Sequence, residues 1–101
     1  MARLVLTPDS IARLPRHIVL RHDKTRDRWV ILAPERVLVP DDIAVTVLQR
    51  LDGHKTIGEI AADLARDYAA PIERIASDIT ALLQDLADKN FLTATEAAPH
   101  G

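Results

Sequence analysis

The sequence contains no cysteine among its 101 residues and very few aromatic side chains. Without cysteine, disulfides, thiolate metal sites and a cysteine nucleophile are excluded, and the composition suits a reducing cytosol. The aromatic residues are Trp29, Tyr68 and Phe91. Because hydrophobic residues still make up 48% of the chain, the core is predicted to consist of Leu, Ile, Val and Ala side chains.

Long hydrophobic runs are missing as well. The first turn signal, Thr7-Pro8, is preceded only by the short run Leu4-Val5-Leu6, which is too short for the core of a secretory signal peptide. No stretch approaches the roughly 18 apolar residues that a membrane span needs. The sequence therefore predicts one soluble, cytoplasmic domain that contacts no membrane.

The residue patterns of catalysis and of metal or nucleotide binding are also absent. The histidines are His17, His22, His54 and His100. No two of them are spaced to place two ligands on one helix face, and three glycines are too few for a phosphate-binding loop. Ser10 and Ser77 lack the context of an activated nucleophile, and Asp63 with Asp67 is typical of a solvated helix face. We therefore predict no enzyme, no metal and no cofactor.

Three short segments rich in branched residues predict strands. They are His17–His22, Arg28–Ala33 and Glu35–Val39. Pro34 lacks a backbone donor and marks the end of the second strand, and the short connections favour antiparallel pairing. Since the second strand is apolar on both faces, helices are expected to cover much of this small sheet.

Two helices are predicted next. Asp41-Asp42 supplies the N-cap of the first helix and Gly53 its stop, while Thr56 and Glu59 match a capping box that begins the second. Each helix has an apolar stripe at helical spacing. The stripe residues are Ile43, Val47, Leu48 and Leu51, followed by Ile57, Ile60, Ala61, Leu64, Ala65 and Tyr68.

A third helix is predicted from Pro71 to about Lys89, and Phe91-Leu92 should fold back behind it as a hydrophobic stop. Its apolar stripe consists of Ile72, Ile75, Ile79, Leu82, Leu83 and Leu86. The predicted fold is therefore α+β and winged-helix-like, with a three-stranded antiparallel sheet followed by three helices in the order β-β-β-α-α-α.

The two ends of the chain carry weaker signals. Residues 1–15 contain two prolines and are predicted to form an N-terminal arm, with at most one helical turn near Asp9–Arg13. Residues 93–101 are predicted to be a flexible tail. The folded domain is accordingly expected to span residues 16–92.

The third strand and the third helix together suggest a binding groove. A short sheet leaves an unpaired strand edge, which can accept an added strand, and the stretch Val37-Leu38-Val39 next to Arg36 is apolar. The third helix carries more aliphatic side chains than one packing seam needs. A peptide lying between this strand and this helix would gain backbone hydrogen bonds and side-chain burial together. Core packing or a dimer interface would explain the same residues.

Several segments resemble the family of pyrroloquinoline quinone (PQQ) synthesis protein D. The most specific is the run from Arg28-Trp-Val-Ile-Leu-Ala to Pro-Glu-Arg-Val-Leu-Val39. Ile43–Leu48, Leu51-Asp-Gly53 with Thr56-Ile57, and Asp85-Leu86 leading to Phe91-Leu92 occur in matching order. Together these segments, with Leu20–Asp23, cover about residues 15 to 92.

The resemblance implies a peptide-recognition domain without catalytic residues or cofactors. Members of this family bind the leader of the ribosomally made PQQ precursor peptide and deliver it to a radical S-adenosylmethionine enzyme, which joins a glutamate and a tyrosine of the precursor. Related domains hold the peptide as an extra strand beside the third strand. Carried onto this sequence, the expected peptide-binding residues are Arg36, Val37, Leu38 and Val39, with Ile75, Ile79 and Leu82 opposite. Which of these helix positions face the groove stays open.

Two other functions remain as alternatives. A structural module could use the groove to form a homodimer, with the arm exchanged between two chains. A winged-helix DNA-binding protein is disfavoured because residues 71–89 hold four acidic and two basic side chains, whereas a recognition helix must approach phosphates. Residues 1–36 hold eight basic and four acidic side chains, which could instead steer an acidic protein partner. We therefore predict no nucleic-acid partner.

Overall fold

The computed structural model describes residues 4–96, which form five strands and three helices. In chain order the elements are β1 (Ser10–Arg13), β2 (Val19–Asp23), β3 (Arg28–Ala33), β4 (Arg36–Leu38), α1 (Asp42–Gln49), α2 (Ile57–Asp67), α3 (Ile72–Asp88) and β5 (Thr93–Glu96). The predicted α+β class and the succession of a three-stranded sheet and three helices are confirmed. None of the helices within this part of the chain has the length and apolar character of a membrane span.

The three-stranded sheet has the order β2-β3-β4 and is antiparallel throughout. Its central strand begins and ends where the sequence predicted, whereas the outer strands are shorter or shifted by one to two residues. Leu20, Ile31 and Leu38 form one row across the sheet. Ile31 is fully buried in the core and the other two pack partly against it, so this face of the sheet closes the core.

The opposite face of the sheet is less covered than predicted. Val19, Leu32 and Val37 form a row across it, and Val19 is 50% exposed. The expectation that helices cover much of this small sheet is therefore not met at the positions of Val19 and Val37, which are exposed. The helices instead pack against one another and against the ends of the chain, because their stripes meet there.

Capping side chains define where the first two helices begin. The Asp41 carboxylate accepts the Ala44 backbone N–H at 2.8 Å, and Thr56 and Glu59 form the predicted capping box. Gly53 has a positive φ of 82° and lies in the turn after α1, which ends earlier, at Gln49. A cap of this kind stabilises a helix by about 1 kcal/mol. The predicted hydrophobic stop is confirmed, since Phe91 and Leu92 are buried and the Phe91 N–H binds the Leu86 carbonyl.

The ends of the chain form a second sheet, which the sequence did not predict. β1 pairs antiparallel with β5, so that Ala12 lies opposite Ala94. The helical turn predicted near Asp9–Arg13 is wrong, and so is the prediction of a flexible end for residues 93–96. Ser10, Ala12 and Leu6 are buried. A strand whose partner lies about 80 residues away leaves no short-range signal, which explains both errors. Residues 1–3 and 97–101 of the predicted arm and tail lie outside the described residues.

Candidate functional site

The edge strand β4 exposes both backbone and apolar side chains. Its partner within residues 4–96 is β3, on one side only. Val37 is 64% exposed and Val39, just beyond the strand, is 50% exposed, whereas Leu38 between them turns toward the core. An unpaired edge of this kind can accept an additional strand.

Arg36 attaches the start of β4 to the end of α3. Its Nη1 donates a hydrogen bond to the backbone carbonyl of Lys89 at 2.8 Å, and its guanidinium carbon lies 4.3 Å from the centre of the Phe91 ring. A cation close to the last carbonyls of a helix interacts favourably with the helix dipole, and a cation over an aromatic ring adds attraction. Arg36 therefore holds this end of the strand beside the helix.

A cavity of about 550 Å³ opens along α3, between the start of α1 and the end of α2. This volume is within the roughly 300–1,000 Å³ common for ligand sites. Its apolar lining comes from all three helices. The lining residues are Ile43 and Val47 of α1, Leu64 and Tyr68 of the α2 end, and Ile75, Ile79 and Leu82 of α3, with Asp41, Asp42, Thr46 and Asp78 at more polar positions.

The strand edge and the cavity both lie beside α3, and we call the two together the groove. At one end Arg36 donates to the carbonyl of Lys89, the C-cap residue that follows α3. At the other end Asp41, just beyond Val39, lines the cavity together with Asp78. The segment from Arg36 to Asp41 therefore extends from the end of α3 to the residues that line the cavity.

The structure divides the predicted site residues into two groups. Arg36, Val37, Leu38 and Val39 form the strand side, and Ile75, Ile79 and Leu82 line the cavity. On the helix, Ile75 and Leu82 are half-buried, whereas Ile79 is buried in the core. All three line the cavity, and Ile75 and Leu82 are the more accessible of them.

Sequence reasoning missed two residues of the groove. Ile43 and Tyr68 were assigned to apolar stripes that pack in the core, but they are 70% and 63% exposed. Both stand at helix ends, Ile43 in the first turn of α1 and Tyr68 at the C-cap of α2. A stripe that extends past the packed centre of a helix is the signal that could have identified them.

The titratable groups whose pKa is shifted by a clear electrostatic cause lie outside the groove. Backbone N–H groups of Lys55 and His54 lower the pKa of the Asp52 carboxyl. The Lys55 ammonium, 2.9 Å from Asp63, lowers the pKa of that carboxyl, and its own pKa is raised in return. These groups connect the α1–α2 turn to the outer face of α2. Within residues 4–96, no three His, Asp or Glu side chains are grouped to hold a metal ion.

Comparisons with known proteins agree on one family. Residues 28–92 match the family described as coenzyme PQQ synthesis protein D (PqqD). A protein of Rhodopseudomonas palustris (strain BisB5) named PqqA binding protein is 60% identical over 102 aligned residues, which cover 98% of this chain and 100% of that protein. A PqqA binding protein of Bradyrhizobium diazoefficiens is 60% identical over 80 residues, 79% of this chain and 78% of its own length.

Two solved structures are similar in fold. The first is the PqqD truncation of Methylobacterium extorquens PqqCD, a recognition element for ribosomally synthesized and post-translationally modified peptides. It has a TM-score of 0.77 at 40% sequence identity and covers 88% of this chain and 95% of its own. The second is PqqD from Xanthomonas campestris, with a TM-score of 0.56 at 42% identity, covering 79% and 89% of the two chains.

Proposed function

The chain belongs to the PqqD family, and we propose that it is a peptide chaperone of PQQ biosynthesis. In this role it binds the ribosomally made precursor peptide, PqqA, and presents it to a radical S-adenosylmethionine enzyme. The names of the relatives and the recognition-element description of the M. extorquens structure support the peptide partner. The observation that carries the proposal is the unpaired β4 edge beside the apolar cavity of α3.

The peptide binds as a fourth strand on β4. Its backbone pairs with the free edge of Arg36–Leu38, and every second side chain faces the helices. Arg36 keeps the strand at a constant distance from α3. The remaining contacts come from Val37, Leu38 and Val39 on the strand side and from Ile75, Ile79 and Leu82 on the helix side, with Ile43 and Tyr68 at the end of the groove.

The domain acts by presentation and contributes no chemical step of its own. Fixing a disordered precursor on a folded domain that also contacts the enzyme makes the encounter of peptide and enzyme effectively intramolecular, which raises the local concentration of substrate. The partner enzyme, like the peptide, is cytoplasmic in this proposal. The mainly apolar lining of the cavity supports a role in binding.

Calorimetric titration with the PqqA peptide tests the proposal, using Val37→Asp as the variant and Val19→Asp as its matched control. Val37 and Val19 stand on opposite edge strands of the same sheet and are both at least half exposed. We expect saturable binding that is lost in Val37→Asp and kept in Val19→Asp. No binding of the unchanged protein up to about 1 mM, near −4 kcal/mol, would contradict the proposal, as would equal losses in both variants.

A homodimer that pairs two β4 edges is a second use of the same surface. The exposed Val37 and Val39 and the unpaired edge favour it. The peptide and a second copy of the chain would then compete for the β4 edge. Light scattering after size-exclusion chromatography is expected to show a dimer that dissociates as peptide is added. A mass that peptide leaves unchanged would argue against a shared edge.

A further inference from the structure

We infer that the groove selects a peptide segment in which a Lys or Arg side chain stands close to an apolar one. The cationic group binds between the carboxylates of Asp42 and Asp78, and the apolar side chain fills the cavity against Ile75 and Leu82. This inference rests on the proposed peptide-binding function and adds to it the chemistry of the segment that is read.

The shape of the cavity sets the apolar part of this preference. Its lining is predominantly aliphatic and its floor is closed by buried core residues, among them Ile79, Leu64 and Val47. Ile43 and Tyr68 stand above this floor and are largely exposed. An apolar side chain that enters the cavity loses contact with water on several sides. It also covers the exposed side chains of Ile43 and Tyr68, so apolar surface of both the peptide and the protein is buried on binding.

The charges of the cavity are of one sign. Asp41, Asp42 and Asp78 all line it, and no basic residue does. The Asp41 carboxylate is engaged as the N-cap of α1 at 2.8 Å from the Ala44 nitrogen. Among residues 4–96, neither Asp42 nor Asp78 is joined to a Lys or Arg by an ion pair. Two carboxylates at the mouth of an apolar cavity are complementary to a cation.

Three basic groups of neighbouring elements are engaged elsewhere, and Arg74, one helical turn before Asp78 on α3, does not line the cavity. Arg36 is held at the far end of the groove by the Lys89 carbonyl. Arg50 pairs with Asp67 at 3.1 Å, and Lys89 pairs with Asp85 at 2.9 Å. None of the lining residues supplies a positive charge to the cavity.

A Lys or Arg side chain fits this arrangement better than a free metal or ammonium ion. Its aliphatic stem can lie along Ile43 while its charged head stays at the aqueous rim with the carboxylates. The Tyr68 ring, also at the rim, can contact the head by a cation–π interaction. An aspartate or glutamate in the same place would face two like charges, so the groove also discriminates against acidic segments.

The test is a charge scan of N-terminally acetylated PqqA peptides, each with one Lys or Arg replaced by Gln, titrated by calorimetry. Acetylation removes the terminal amine as a competing cation. We expect one replacement to weaken binding by about 5-fold, as for a partly exposed ion pair. The same replacement should cost less than about 2-fold in the Asp42→Asn/Asp78→Asn protein. Glu73→Gln, on the same helix but outside the cavity, is the matched control and should behave as the unchanged protein.

A charge-reversed protein provides an independent readout. Asp42→Lys/Asp78→Lys is expected to prefer the peptide with Glu at the sensitive position, and thermal unfolding reports whether that protein is folded. If the peptides bind but no cation matters, or the loss is equal in all proteins, this inference is overturned while the proposed function stands. If no peptide binds the unchanged protein, both are overturned.

Discussion

The rest of the described chain covers one long side of α3 and leaves the other side uncovered. On one side, which we call the closed side, the segment Leu4–Pro8 lies against Gln84. The Gln84 side chain accepts the Leu6 N–H at 2.8 Å and donates to the Leu4 carbonyl at 2.7 Å. On the other side, the open side, Ile75 and Leu82 line the cavity without a covering segment among residues 4–96.

The closed side shows what an extended segment gains beside this helix. A single glutamine satisfies a carbonyl and an N–H two residues apart, as a neighbouring strand would, and Leu6 is buried at the same time. A further hydrogen bond of 2.8 Å joins the Gly58 N–H to the Pro8 carbonyl. The open side offers the same combination, because β4 supplies the backbone groups and the cavity supplies the burial.

The comparison predicts that changes on the closed side affect stability most strongly. Leu6→Ala removes a buried side chain of the core and is expected to lower the free energy of unfolding by about 2–4 kcal/mol. Val5→Ala, at an exposed neighbouring position, should change it by less than about 0.5 kcal/mol. Urea unfolding measures both. Equal effects of the two variants would show that residues 4–6 do not pack as described.

Removing Gln84 tests whether the two sides are independent. Gln84→Ala leaves the Leu4 carbonyl and the Leu6 N–H without their partner and should cost about 1–2 kcal/mol of stability. PqqA affinity should not change, since Gln84 is not part of the groove. Gln49→Ala, at an exposed position of α1, is the control. A loss of affinity without a loss of stability would mean that the closed side takes part in peptide binding.

A change at Ile43, on the open side, should alter peptide affinity without altering stability. Because Ile43 is 70% exposed, Ile43→Ala should leave the free energy of unfolding within about 0.5 kcal/mol. The buried contact area with the peptide decreases, and the dissociation constant for PqqA is expected to rise about 3-fold. Calorimetry and urea unfolding of the same preparation separate the two effects. Unchanged affinity would exclude Ile43 from the groove.

Acid should have the smallest effect, and it should act away from both sides of α3. The pKa values of Asp52 and Asp63 are lowered from 3.8, so their contribution is present above pH 3.8 and is lost as the pH falls through the lowered values. We expect stability to decrease as the pH falls below about 4, and Asp52→Asn to show a smaller decrease. An unchanged pH dependence in Asp52→Asn would remove Asp52 as a cause.

Local patterns in the sequence predicted much of the middle of the chain. The bounds of β3, the capping box at Thr56 and the hydrophobic stop at Phe91 follow from residues within a few positions of each other, and all three are confirmed. The family resemblance was confirmed by the same central segments. Contacts between residues close in sequence can be predicted from local patterns without knowledge of the fold.

The candidate site was predictable only in part. The apolar third strand and the aliphatic third helix indicated a groove, and in the structure Arg36 at the start of that strand binds the Lys89 carbonyl at the end of α3. Ile43 and Tyr68 could not be assigned to it, because an apolar residue at helical spacing is predicted to be buried whether or not anything covers it. Whether such a residue is covered depends on the elements that pack beside it and not on its spacing along the helix.

By itself, the sequence determined the kinds and the order of the elements from β2 to α3 and the aliphatic nature of the core, since each depends on capping, periodicity and composition. The tertiary structure decided the rest. It paired β1 with β5 across about 80 residues, covered one side of α3 with Leu4–Pro8 and left the other side open beside β4. The physical reason is that pairing and burial over such separations depend on which surfaces come into contact in the folded chain. A pattern of neighbouring residues does not specify those contacts.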